Sequence, residues 1–125
     1  MKGILFGVFD MLHEGHKHFL KRAAEQCDEL VAVVARSEVV AAMKGKEPRQ
    51  PLEARMQAIE AWDKSITARA GDERERSWKV LRDERPDVIF IGYDQDAIEE
   101  ELKGFGIRIV RVEAYEPEKF KSSLL

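Results

Sequence analysis

Short apolar runs alternate with segments of helical periodicity along the chain, and this alternation restricts the fold more than any other feature. The stretches between the runs carry apolar residues at three- and four-residue spacing, the period of an amphipathic helix. Strands joined by helices of this length need right-handed crossovers. The sequence therefore predicts an α/β fold with a parallel sheet, in one domain of residues 1–125. The predicted strands are 3–9, 30–35, 65–68, 87–92 and 107–112.

Turn-forming residues set the expected limits of the helices. Pro51 opens one helix, because proline is favoured in a first turn. The charged stretch 72–85 carries apolar residues at helical spacing, and it is interpreted as an amphipathic helix that Pro86 ends. A later helix, residues 97–103, is expected to end at Gly104 as its C-terminal cap.

All three histidines of the chain lie in residues 7–18, between the first strand and the first helix. The start of a helix presents unpaired backbone N–H groups with partial positive charge, which attract anions. His13 and His16 can share one helix face, offer ring N–H groups to a phosphoryl oxygen and carry protons near neutral pH. Gly7 and Gly15 are expected to let a ligand approach the main chain. This junction is therefore predicted to bind phosphate.

Two other interpretations of the histidine run stay open. In the first, the histidines only cap the helix and face solvent. In the second, Asp10, His13, His16 and His18 form a metal site, since imidazoles suit Zn²⁺ or Ni²⁺. His18 lies two residues beyond His16 and should point to another side of the helix. We therefore predict no metal site, and we interpret His18 as a surface or substrate-side residue.

Residues 7–16, Gly-Val-Phe-Asp-Met-Leu-His-Glu-Gly-His, resemble the signature of the cytidylyltransferase-like nucleotidyltransferases. In that family a short aromatic-Asp segment precedes His-x-Gly-His. The resemblance implies a doubly wound, Rossmann-like sheet of strand order 3-2-1-4-5, with the nucleotide between the first and fourth strands. It also implies that His13 and His16 are catalytic. The nucleotide-binding residues it implies in this segment are Gly7, Val8, Phe9, Asp10 and Gly15.

Residues 43–48 are interpreted as a loop after the second strand, and they resemble the basic loop that in this family folds over the triphosphate. Lys44 is then implied to balance charge on the α-phosphate, with Lys46 as a second contact. A plain surface role is the alternative for either lysine. Arg55 matches an arginine of the family that helps to hold a phosphate or anchors the substrate loop. A surface ion pair with a neighbouring glutamate is the alternative for Arg55.

Residues 92–95 follow the fourth strand and resemble the Gly-x-Asp segment that approaches the nucleotide in the family. Asp94 is implied to accept a hydrogen bond from ribose or base, and Tyr93 to offer a stacking face. Gly92 and Gln95 complete the segment. The alternative for Asp94 or Asp96 is a cap on the next helix.

Ser122 and Ser123 resemble the family's Ser/Thr pair that meets the β- and γ-phosphates. Relatives continue with a basic residue and a full helix, whereas this sequence ends two residues later. We therefore expect this pair to be a frayed tail unless the nucleotide or a partner subunit orders it.

The implied reaction is nucleotidyl transfer. An acceptor phosphate attacks the α-phosphorus of ATP or CTP, pyrophosphate leaves, and Mg²⁺ brought with the nucleotide neutralises charge. Residues 33–48, 92–95 and 121–123 look closer to the archaeal type of FAD synthase than to glycerol-3-phosphate cytidylyltransferase. The first expectation is therefore AMP transfer to FMN, and the second is CTP with glycerol 3-phosphate or another small phosphomonoester. A nucleotide-binding module without activity is the alternative from another class.

Charge and hydropathy limit the partners. With 21 basic and 24 acidic residues the net charge is −3, which gives no general attraction to nucleic acid or to an anionic membrane. No apolar run approaches a membrane span, and Met1 leads directly into the first strand, so a cytoplasmic location is expected. The lone Cys27 is expected to be a packed thiol. The family is often dimeric, and Trp62 or Trp78 would serve either the core or such a contact.

Overall fold

The computed structural model of the chain describes residues 1–74 and 77–113. Within these residues five parallel strands form one sheet in the order β3-β2-β1-β4-β5. The predicted α/β fold and strand order are therefore confirmed. The strands are β1 Lys2–Gly7, β2 Glu29–Val34, β3 Ile66–Ala70, β4 Val88–Ile91 and β5 Arg108–Arg111.

Helices cover both faces of the sheet, as the continuous apolar runs require. One buried cluster contains Leu20 of α1 and Ile59 of α3, and the other contains Val80 of α4 and Leu102 of α5. Within the described residues, no helix is long and apolar enough to cross a membrane. The helices are α1 Glu14–Ala24, α2 Ser37–Lys44, α3 Leu52–Trp62, α4 Lys79–Glu84 and α5 Asp96–Leu102, and a 3₁₀ turn, Lys103–Phe105, follows α5.

The loop predicted at residues 43–48 is shorter than expected. Met43 and Lys44 form the last turn of α2, and Gly45 caps that helix in the left-handed region at φ 72°. Val40 is the buried residue of this helix. Lys44 is therefore held on a helix, whereas Lys46 lies in the loop.

The helix predicted over residues 72–85 is also shorter, because α4 begins only at Lys79. The carboxylate of Asp72 accepts hydrogen bonds from Ser77 Oγ (2.8 Å) and from the backbone N–H of Val80 (3.4 Å). Such side-chain bonds compete with a continuous helix. Trp78, with a left-handed φ of 58°, precedes the first turn.

Two predicted helix ends move. Gly104 lies inside the 3₁₀ turn, and the left-handed residue that closes this turn is Gly106 at φ 71°. α4 ends at Glu84, and Arg85, directly before Pro86, caps it in the left-handed region at φ 49°. The spacing of apolar residues predicted that both helices exist. It does not predict the left-handed residues that end them, because backbone conformation in a turn does not depend on apolar spacing.

Cys27 packs against the start of β1, as expected. Burial raises the pKa of its thiol, and Sγ lies 3.5 Å from the carbonyl oxygen of Ala23. Of the two tryptophans, Trp78 is partly buried against one core cluster, whereas Trp62 is exposed at the end of α3.

A methyl group at Gly3 should disrupt the centre of the sheet. A Cβ there would lie 2.6 Å from the Phe90 ring and 2.9 Å from Cys27 Sγ, and Phe90 is fully buried. We expect Gly3→Ala to lower the free energy of unfolding by roughly 1–3 kcal/mol in urea denaturation. Gly104→Ala is the matched control, because nothing lies within 4 Å of its added Cβ. Equal stability of the two variants would contradict this packing.

Candidate active site

A cleft of about 1150 Å³ opens at the carboxyl edge of the sheet. The ends of β1 and β4 meet there, on either side of the point where the strand order reverses. Ligands of doubly wound sheets bind at this position. The predicted site residues that line the cleft are Gly7, Val8, Phe9, His13, Gly15, His16, Lys44, Gly92, Tyr93, Asp94 and Gln95.

His13 caps α1 with its own ring. Its Nδ1 accepts hydrogen bonds from the backbone N–H groups of Gly15 (3.1 Å) and His16 (3.4 Å). His16 Nδ1 accepts in turn from the backbone N–H of His13 (3.2 Å), which completes a reciprocal capping box. The unpaired N–H groups expected at Gly15 and His16 are therefore already engaged, and the two imidazoles stand at the helix start in their place.

The capping bonds also set the tautomer of both rings. Because Nδ1 accepts in each ring, the proton of each neutral imidazole lies on Nε2, which is left to donate to a ligand. The rings are stacked, with centroids 3.6 Å apart and planes 17° apart. Capping and ligand binding are thus compatible roles, since they use different nitrogens of the same rings.

His16 is uncharged at neutral pH. Burial, and next the nearby His13, lower the pKa of His16 from 6.5 to about 4, while the charge of Asp10 opposes the change. Its ring also meets the Phe9 ring edge-on, with centroids 5.5 Å apart. The expectation that His16 carries a proton near neutral pH is therefore wrong. A neutral imidazole is still a hydrogen-bond donor.

The two glycines of the motif make room for rings of the same loop. A Cβ on Gly7 would lie 2.8 Å from the Phe9 ring, and one on Gly15 would lie 3.0 Å from the His13 ring. Phe9 is buried with a left-handed φ of 53°, an uncommon conformation for a bulky residue. The immediate neighbours of these glycines are thus side chains, rather than an open path to the main chain.

Asp10 lies outside the cleft. Its carboxylate accepts from the backbone N–H groups of Arg49 (2.8 Å) and Gln50 (3.0 Å), and these bonds lower its pKa. The side chain of Gln50 accepts from the backbone N–H of Met11 (3.0 Å). Asp10 therefore fastens the loop before α3 to the loop before α1, and its assignment as a nucleotide contact stays a prediction.

Arg55 is fully buried and makes no surface ion pair. Its guanidinium donates to the carbonyl oxygens of Val8 (2.9 Å), Ala35 (2.7 Å) and Gln50 (3.1 Å), and to Ser37 Oγ (3.0 Å). A group engaged in this way is not available to a phosphate. Of the roles considered for Arg55, anchoring of the neighbouring loops is the one that matches these contacts.

The lysines separate into two environments. Lys44 lines the cleft from the end of α2, whereas Lys46 lies outside it. Sequence reasoning missed Arg36, which also lines the cleft and donates from Nε to the carbonyl oxygen of Gly71 (2.8 Å). Arg36 lies two residues after the end of β2, and this position at the carboxyl edge of the sheet could have indicated a site residue.

The segment after β4 is tied to the end of β1. Gln95 Oε1 accepts from the backbone N–H of Gly92 (2.7 Å), and its Nε2 donates to the carbonyl oxygen of Phe6 (3.2 Å). Tyr93 is 63% exposed and Asp94 is exposed at the cleft. Gln95 occupies the N-cap position of α5 without a side-chain cap bond. The capping alternative for Asp94 is therefore wrong. The side chain of Gln95 links the end of β1 to the residue after β4.

The metal interpretation finds no support in the geometry. Across residues 1–74 and 77–113, no group of three or more His, Cys, Asp or Glu side chains is placed to hold a metal ion. Asp10 is engaged by backbone N–H groups, and His18 Nε2 lies 3.0 Å from the carbonyl oxygen of Glu113. Ser122 and Ser123 lie outside the described residues.

The chain belongs to the cytidylyltransferase-like family, which matches residues 4–125. The predicted family and nucleotidyltransferase class are thereby confirmed, and nucleotidyltransferases of this type generally use a divalent metal with the nucleoside triphosphate. FAD synthase of Pyrococcus abyssi is 38% identical over 110 residues, 85% of this chain and 74% of the relative. FAD synthase of Thermococcus kodakarensis is 38% identical over 124 residues, 94% of this chain and 83% of the relative.

Two solved structures share the fold. The lipopolysaccharide core biosynthesis protein of Thermoplasma volcanium superposes with a TM-score of 0.79 and 35% identity, over 92% of this chain and 98% of that one. Pantoate-beta-alanine ligase of Francisella tularensis gives a TM-score of 0.63 and 15% identity, over 90% of this chain and 58% of that one. The second likeness concerns the fold alone.

The low pKa of His16 predicts a pH-dependent stability. Between pH 6.5 and about 4 the unfolded chain binds a proton that folded His16 does not, so the contribution of this ring is complete above pH 6.5 and is lost as the pH falls. Because the ring is partly exposed, we expect a loss on the order of 1 kcal/mol. The difference in the free energy of unfolding between wild type and His16→Gln should therefore become smaller as the pH falls from 6.5 to about 4. An NMR titration that places His16 near 6.5 would contradict the prediction.

Removal of the Arg55 guanidinium should destabilise the fold. Arg55→Met keeps the buried aliphatic stem but leaves the carbonyl oxygens of Val8 and Ala35 without this donor. We expect a loss of about 3 kcal/mol in urea denaturation. Arg22→Met is the control, because Arg22 is an exposed residue of α1 paired only with Glu25 among the described residues. A similar small loss in both variants would show that Arg55 is dispensable.

Proposed function

We propose that this protein transfers AMP from ATP to the phosphate of FMN, forming FAD and pyrophosphate. The observation that carries the proposal is the stacked His13–His16 pair, which presents two Nε2–H donors at the positive end of α1 inside the cleft. The identity to FAD synthases along most of the chain supports FMN as the acceptor. A cleft of about 1150 Å³ has room for both substrates.

The reaction needs positioning and positive potential rather than a protein nucleophile. A phosphate oxygen of FMN attacks the α-phosphorus of ATP, the bond from that phosphorus to the bridging oxygen breaks, and pyrophosphate carries away the electron pair. Negative charge grows on the leaving oxygen, where hydrogen-bond donors act most strongly. The Nε2–H groups of His13 and His16 and the ammonium of Lys44 supply this stabilisation. A divalent cation brought with ATP, such as Mg²⁺, would supply charge neutralisation for the phosphates.

One observation favours a second acceptor class. The Thermoplasma volcanium structure at 35% identity is described as a lipopolysaccharide core biosynthesis protein, which points to a sugar phosphate or another small phosphomonoester. CTP with glycerol 3-phosphate belongs to the same group of candidates. The proposed homodimer, the cytoplasmic location and a role for Ser122 and Ser123 stay predictions.

A screen of pyrophosphate release distinguishes these functions. ATP or CTP with Mg²⁺ is paired with FMN, glycerol 3-phosphate or heptose phosphate, and we expect release only with ATP and FMN, together with FAD on chromatography. Release with a small phosphomonoester but not with FMN would favour the second candidate. Nucleotide binding without pyrophosphate release from any pair would favour the inactive module.

Substitution by asparagine separates capping from chemistry at His13. Asparagine is a good N-cap and keeps an acceptor at the position of Nδ1, but it removes the Nε2–H donor. We expect His13→Asn to stay within about 0.5 kcal/mol of the wild-type stability and to lose on the order of a hundredfold in kcat.

Matched controls accompany this variant. Lys44→Met should lower kcat about tenfold through the lost charge. Lys64→Met should not, because Lys64 lies in the turn between α3 and β3, at the opposite edge of the sheet. Full activity of His13→Asn would refute the assignment of this ring to the reaction.

A further inference from the structure

Two aromatic side chains form a wall of the cleft that the phosphate chemistry does not use. Phe6, near the end of β1, and Trp78, just before α4, meet edge-to-face with ring centroids 5.2 Å apart and planes at 81°. Both are partly buried at the fringe of the core cluster under α4 and α5, and both line the cleft. This wall therefore presents aromatic surface to a ligand.

The chain holds Trp78 in place at a conformational cost. A φ of 58° is an outlier for a bulky side chain, and such residues persist only where the surroundings determine them. The Asp72 carboxylate binds Ser77 on one side of Trp78 and Val80 on the other, and the indole Nε1 donates to Glu101 (3.3 Å). Strained residues of this kind are concentrated at ligand sites.

A cation and an apolar helix face line the same cleft. The bond from Arg36 Nε to the carbonyl oxygen of Gly71 orients the guanidinium, and its two Nη nitrogens donate to none of residues 1–74 or 77–113. Those nitrogens are the part of arginine that donates paired hydrogen bonds to two oxygens of a phosphate. From α2, Val39 and Met43 also line the cleft, and Met43 is 45% exposed. A planar apolar ring that carries a phosphate would complement these groups.

We propose that the Phe6–Trp78 wall binds the isoalloxazine ring of FMN and that Arg36 holds its phosphate. This inference rests on the proposed function and adds the acceptor's place to it. ATP then takes the other half of the cleft, beside residues 92–95. A small phosphomonoester has no ring to place against the wall, so Trp78 and Arg36 select for a flavin.

Flavin emission tests the ring's position, because an indole in contact quenches it. The chain has two tryptophans, and Trp62 lies outside the cleft. FMN bound to the full chain should be quenched in the wild type and in Trp62→Phe, and should emit strongly in Trp78→Phe. Recovery of emission in Tyr93→Phe instead would place the ring on the nucleotide side and overturn the proposal, as would equal quenching in both tryptophan variants.

Affinity measurements test the same contacts independently. Trp78→Ala should raise KM for FMN about tenfold or more and leave KM for ATP unchanged. Arg36→Gln should reduce the preference for FMN over riboflavin in equilibrium binding, because only FMN carries the phosphate. Circular dichroism checks that each variant is folded. An unchanged FMN-to-riboflavin ratio in folded Arg36→Gln would overturn the role of Arg36.

Different results would contradict the proposed reaction and the proposed flavin site. If the wild type makes FAD but its bound FMN is not quenched by Trp78, the proposed function stands and the ring lies elsewhere. If the wild type binds FMN with quenching by Trp78 yet releases no pyrophosphate, the flavin site stands and the proposed reaction is wrong. A wild type that neither forms FAD nor binds FMN would overturn both proposals.

Discussion

The buried guanidinium of Arg55 is the contact on which the arrangement of the site depends. It joins the carbonyl oxygens of Val8, after β1, and Ala35, after β2, to that of Gln50, before α3. Within the described residues its hydrogen bonds go to neutral oxygens rather than to a carboxylate, so the desolvated charge is compensated by carbonyl and hydroxyl dipoles. The carbonyls of Val8 and Ala35 lie just beyond the ends of β1 and β2, where the strand ladder has ended. One side chain thereby sets the relative positions of three segments at the carboxyl edge.

The surroundings of His16 keep its ring uncharged at neutral pH. Burial is the largest cause of the low pKa of His16, and the nearby His13 ring is the next. A site for two anionic substrates then acts through fixed dipoles, with the ammonium of Lys44 as a full charge at its border. Dipoles that are already oriented need no reorganisation when charge develops during the reaction, and they bind the ground-state anions less tightly than cations would.

Sequence reasoning predicted the centre of the sheet well because β2 and β4 are buried, continuous apolar runs. It predicted the His-x-Gly-His junction because the motif and the strand-to-helix transition coincide. It failed where a side chain replaces a backbone partner, because Asp72 competes with the expected helix over 72–85. It also did not foresee that Asp10 binds the loop before α3. It also left the role of Arg55 open. A polar residue's partner depends on which loops meet in space, and spacing along the chain does not carry that information.

The strained positions of the cleft show which contacts keep its loops in shape beyond the ends of the strands. Phe9 and Trp78 both have left-handed φ values, and each conformation costs about 1–3 kcal/mol. The absent Cβ of Gly7 gives space to the Phe9 ring, and the Asp72 carboxylate holds the residues around Trp78. Phe9 in turn supports the His16 ring from its edge. All four residues of β4 are buried beneath these loops. The packing of the strands offsets the free energy that the strained conformations cost, so the loops depend on the sheet for their stability.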